Sequence, residues 1–91
     1  MYYIIHCFDK KDALQLRMDN RPAHVAYLKS SGDKLHAAGP TLDANGNMNG
    51  SLVIMELENL ADAEDFAAND PYAKAGLFEK VFIQPWKKVL P

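Results

Sequence analysis

Two segments of this chain, 2–8 and 51–57, are apolar in both of their alternating sets of side chains. Successive side chains of a strand point to opposite faces, so a strand in a half-covered sheet alternates apolar with polar. In the first segment Tyr2, Ile4, His6 and Phe8 oppose Tyr3, Ile5 and Cys7. In the second, Ser51, Val53, Met55 and Leu57 oppose Leu52, Ile54 and Glu56. Both strands therefore need cover on two sides. The chain has 91 residues, which predicts a single domain over 1–91 that buries only about 60–65% of its unfolded surface. Helices from so short a chain cover one face. The simplest cover for the other is a second copy, and a homodimer packed sheet on sheet is expected.

The remaining elements follow from local signals. Asp9-Lys10-Lys11-Asp12 ends the first strand, and Asp12 is the expected N-cap of a short helix over 13–18. Asn20-Arg21-Pro22 reads as a break, because proline suits a first helical turn and not a helix interior. A second helix is expected over 22–31, with Gly32 as its stop. Residues 35–42 form a strand through Gly39-Pro40, and 43–50, with two Asn-Gly pairs, form a hairpin connection. Asn59 caps a helix over 60–69, with Asp62 at its N3 position and Leu60, Ala63, Phe66 and Ala67 as its apolar stripe. Asp70-Pro71-Tyr72 opens a short turn or helix ending near Gly76, and 80–84 is the last strand. The order β-α-β-β-α-β predicts an α+β, ferredoxin-like fold with a four-stranded antiparallel sheet and helices on one face.

Charge and composition exclude several functions. Twelve acidic residues against ten basic ones leave a net charge of -2 and a pI near 5.8, so no basic footprint for nucleic acid is present. No polybasic segment marks a membrane surface, and no apolar run approaches the ~20 residues a spanning helix needs. The N-terminus shows no basic-then-apolar leader pattern. Cys7 is the single cysteine, so no internal disulfide forms and a reducing cytoplasm is the expected compartment. His6, His24 and His36 show no metal-ligand spacing, and no phosphate-cradling glycine pattern occurs, so neither metal nor cofactor is expected.

The chemistry-bearing candidates centre on His24. At the start of a helix over 22–31, the helix dipole favours neutral imidazole, which accepts a proton. The plainer alternative is a half-buried histidine bonded to a loop carbonyl. Asp70 either caps the turn that Pro71 begins or reaches His24 and sets its tautomer. Arg17 and Arg21 precede His24 by seven and three residues. If they converge on it they supply a fork for an anionic ligand group, and otherwise they are solvated arginines.

The start Met-Tyr-Tyr-Ile-Ile, the run Arg17-Met-Asp-Asn-Arg-Pro-Ala-His-Val-Ala-Tyr-Leu28, Ala38-Gly-Pro40, Gly50-Ser-Leu-Val53, Asn69-Asp-Pro-Tyr72 with Ala75-Gly76, and the ending Pro85-Trp-Lys-Lys-Val89 occur in this order. Together they resemble the YciI family, also called the YCII-related domain. The resemblance implies a ferredoxin-like domain that dimerises through its sheets into an α+β barrel. It implies relatives of muconolactone isomerase type and a dehydrochlorinase acting on a chlorinated hydroxyhydroquinone. It also implies a His–Asp site, which falls on His24 and Asp70 here. The hairpin loop is shorter than in many members. The expectation is a cofactor-independent lyase or isomerase acting by general acid/base chemistry on a small aromatic or lactone-like compound. Arg17 would hold an anionic group, and Ser51 or Tyr72 would hydrogen-bond the ligand. The alternative is a non-catalytic dimeric module that binds a small molecule.

Overall fold

A computed structural model describes all residues, Met1–Pro91. Four strands, β1 (Tyr2–Asp9), β2 (Leu35–Leu42), β3 (Met48–Glu56) and β4 (Phe78–Trp86), form one sheet in the order β2-β3-β1-β4, with every neighbouring pair antiparallel. Helix α1 (Leu14–Lys29) links β1 to β2, while α2 (Leu60–Ala68) and α3 (Pro71–Lys74) link β3 to β4. This is the expected α+β, ferredoxin-like arrangement.

Register assigns each side chain to a face. Tyr3 opposes Met55, Ile5 opposes Val53 and Cys7 opposes Ser51, and all six are buried. Ile5, Cys7, Val53 and Met55 form the core with Leu28 of α1, against which Phe66 and Ala67 of α2 pack. The opposite face carries Ile4, His6, Leu52, Ile54 and Phe82. No helix covers it: Phe8, Leu52 and Phe82 are 40%, 38% and 55% exposed. Aromatic side chains meet there, with Phe82 edge-on to Phe8 and with Tyr2, His36 and Trp86 grouped in a triangle.

Several local expectations are corrected. The helix over 13–18 and the helix over 22–31 are one helix, α1, which runs through Pro22. Proline forfeits one backbone hydrogen bond. Pro22 is exposed, so the loss falls on the side that water reaches, and packing of Leu28 and Arg17 keeps the helix whole. Asp12 does not cap; it adopts a left-handed φ of 57°, and Ala13 occupies the N-cap position without a side-chain bond. The hairpin turn is only 43–47. Asp43 Oδ1 accepts from the backbone of Asn45 and Asn47, and Gly46 takes the positive φ of 82°. The second Asn-Gly pair lies inside β3 instead. A Cβ on Gly50 would stand 2.4 Å from the Cys7 carbonyl oxygen, so its glycine permits close strand approach rather than a turn. The last strand extends to 78–86. Asn59 caps α2 as expected, accepting from the Asp62 N–H at 2.9 Å.

Candidate active site

The two turns of α1 that end in Arg17 and His24 face β1, β3 and the α3 turn. His24 is 7% and Asp70 5% exposed. His24 Nδ1 lies 2.9 Å from Asp70 Oδ1 and 3.0 Å from Oδ2. An ionised carboxylate only accepts, so Nδ1 carries a proton, and whenever the ring is neutral Nε2 is a bare lone pair. No hydrogen bond within the chain uses Nε2, and the ring lines a cleft. Asp70 also caps α3, since Oδ1 accepts the Tyr72 N–H at 2.9 Å. Capping and pairing are thus compatible roles for this one carboxylate. His24 sits in the second half of α1 and not at its start, so it lies beyond the reach of the positive helix end.

Arg17 is 2% exposed. Its Nε donates to Asp9 Oδ2 at 2.7 Å, and its Nη2 donates to Asp9 Oδ1 at 2.9 Å and to Ser51 Oγ at 2.8 Å. Burial pulls the guanidinium down, but the hydrogen bond and charge of Asp9 outweigh it, so Arg17 is held above its ordinary value. Asp9 was not among the sequence candidates. Strand parity would have found it: it follows Cys7 by two and so continues the inward-facing set. Arg21 is exposed, makes no ion pair and lines the mouth of the cleft.

Tyr72 is 1% exposed. Its ring stacks on the imidazole of His24 at 3.9 Å and 17°, and the Arg17 guanidinium lies 4.5 Å from its centroid. Burial pushes the Tyr72 phenol up, against the opposing pull of Arg17 and Arg21. Tyr27 donates its hydroxyl to the Phe66 carbonyl at 2.8 Å and ties α1 to α2.

Arg17, Arg21, His24, Ser51 and Tyr72 therefore line one cleft, closed by Ala38-Gly39-Pro40 of β2. Its volume is about 130 Å³, similar to the ~150 Å³ cavity that accepts a benzene ring. A larger hollow of about 520 Å³ beside Tyr27 and Phe66 contains no histidine. The carboxylates Asp9 and Asp70 stand behind the cleft lining, so the charged side chains on its wall are cationic. No group of three or more His, Cys, Asp or Glu side chains is clustered as a metal site. No helix is long and apolar enough to cross a membrane.

The YCII-related domain family matches residues 1–87. Protein YciI of Escherichia coli O6:H1 is 42% identical over 97 aligned positions, covering 98% of this chain and 99% of that protein. An uncharacterized protein of Haemophilus influenzae is 39% identical with the same coverage. Among solved structures, 5-chloro-2-hydroxyhydroquinone dehydrochlorinase (TftG) from Burkholderia phenoliruptrix AC1100, in complex with 2,5-dihydroxybenzoquinone, is similar with a TM-score of 0.90 and 40% identity. That match covers 96% of this chain and 94% of the other. An antibiotic biosynthesis monooxygenase at 13% identity and a TM-score of 0.60 shares the fold alone.

Proposed function

This chain belongs to the YCII-related domain family, and we propose that it is a single-domain enzyme of lyase or isomerase type acting on a small aromatic or lactone-like compound. The observation that carries this reading is the His24–Asp70 pair, whose imidazole lines a cleft the size of one ring and leaves Nε2 without a partner in the chain. His24 takes the proton at Nε2 and returns it later. Asp70 holds the tautomer and balances the imidazolium while the proton is there. The similarity to the dehydrochlorinase supports elimination from a chlorinated ring as one instance: the base takes a proton, its bond pair becomes the new double bond, and chloride leaves with the C–Cl pair.

The cationic wall suits a substrate with an anionic oxygen, such as a phenolate or enolate. In this reading Arg21, without an acidic partner, meets that oxygen at the mouth, and the Ser51 and Tyr72 hydroxyls bond the ring substituents. The working unit is a cytoplasmic homodimer. The apolar, aromatic face bearing Phe8, Leu52 and Phe82 supports sheet-on-sheet pairing, because these large side chains stand open on a sheet face that no helix covers.

The test is chloride release from 5-chloro-2-hydroxyhydroquinone and calorimetric binding of 2,5-dihydroxybenzoquinone. A positioned general base contributes roughly 10²–10⁴-fold, so His24→Ala should lose at least about 100-fold in turnover while remaining folded. Turnover by the wild type that survives His24→Ala would remove the proton-transfer role. Binding without turnover of any phenolic or lactone compound would leave the binding-module reading.

A further inference from the structure

We infer that the Tyr72 ring is a positioning residue that holds the His24 imidazole in its plane, independently of any contact its hydroxyl makes with a ligand. Arg17 and His24 are seven residues apart on one helix, which separates them by about 10.5 Å along the axis. Tyr72 fills that gap. The imidazole stacks on it at 3.9 Å and 17°, and the guanidinium lies over the ring at 4.5 Å. Two planar groups of this size cannot share one face of a phenol, so the ring is clasped between them.

The clasp answers a mechanical question. One hydrogen bond from Nδ1 to Asp70 orients the ring but leaves it free to rock out of the bond, and an imidazole that leaves Asp70 can carry its proton on Nε2 instead. A flat partner at stacking distance removes that freedom and holds the imidazole plane where it lines the cleft. Tyr72 also holds the other half of the pair, since its backbone N–H bonds Asp70 Oδ1 at 2.9 Å. Its own ring is fixed from a third side by the edge of Phe78, at 6.0 Å and 80°. On the far face Arg17 is locked by Asp9 and Ser51, so the ring cannot slide out toward it. The importance of this clasp for turnover rests on the proton-transfer reading above; the positioning itself does not.

The experiment reads the ring directly. Two-bond ¹⁵N–¹H correlation spectra, taken in the pH range where ordinary imidazoles are neutral, distinguish the protonated from the bare nitrogen of His24. The wild type should show the Nδ1–H tautomer alone. Tyr72→Phe keeps the flat ring and should show the same single tautomer. Tyr72→Met keeps the bulk without the plane and should show a second tautomer at roughly a tenth of the population or more. If Tyr72→Met does not fold, Arg17→Lys, which keeps the charge and removes the flat lid, should give the same mixture. A pure Nδ1–H tautomer in the folded Met variant, or in the Lys variant that replaces it, would overturn the inference, because Asp70 alone would then suffice. So would a Phe variant that behaves like Met, because the hydroxyl would then be the active part. These spectra need no substrate. A wild type that binds no quinone therefore counts against the proposed function and leaves this inference standing.

Discussion

Replacing Asp9 by Asn should destabilise the domain by about 3–5 kcal/mol, the cost of leaving a buried charge without its partner. The figure follows from burial. The Arg17 and Asp9 side chains are 2% and 5% exposed, and two bonds of 2.7 and 2.9 Å join them. After the substitution Arg17 keeps Ser51 and the face of Tyr72, neither of which carries a compensating charge. An exposed pair would contribute only about 0–1 kcal/mol and would be screened by salt. A chain of this length has roughly 5–14 kcal/mol of stability in total. The loss should thus move the urea midpoint by about 1.5 M or more, at an m-value of ~1–2 kcal/mol/M. Urea titration followed by circular dichroism, at low salt and in 1 M salt, measures it. The double variant Asp9→Leu with Arg17→Met should recover much of the loss, because no charge then remains buried. A cost under about 1 kcal/mol for Asp9→Asn, or a cost that disappears in high salt, would refute the reasoning.

Two further outcomes test other parts of the molecule. Burial, with the nearby Asp70 charge, pushes the Cys7 thiol from 9.0 to about 12. The unfolded chain ionises first, so stability is unaffected below pH 9 and falls as pH rises from there to about 12. At ~1.36 kcal/mol per unit the loss reaches about 4 kcal/mol. Tyr27 and Tyr72, also raised, act in the same direction above pH 10. Alkaline unfolding curves should be flatter for Cys7→Ala than for the wild type, and an identical slope would contradict the assignment. On the open sheet face, Phe82→Arg places a charge where the proposed dimer packs; sedimentation equilibrium should show monomers at concentrations where the wild type is dimeric. An unchanged mass would exclude this face as the interface.

The inward and outward sets of β1 and β3, the βαββαβ order and the Asn59 cap were legible in the sequence, because each depends on residues within one or two turns or pleats. His24 and Asp70 were nameable from their chemistry and from the family motifs. Their pairing was implied by the family resemblance and not by the residues alone, since Asp70 suits a cap equally well and only the fold brings α3 beside α1. The continuity of α1 through Pro22 was likewise invisible. Local preference says break, and the core contacts of Arg17 and Leu28 on either side override it. The clasp of Tyr72 between Arg17 and His24, and the Asp9 carboxylate behind it, depend on strand register and helix placement together. By itself the sequence determined which residues could carry a charge or move a proton. The tertiary structure decided which of them meet, because those meetings join segments far apart in the chain and are set by packing, not by local preference.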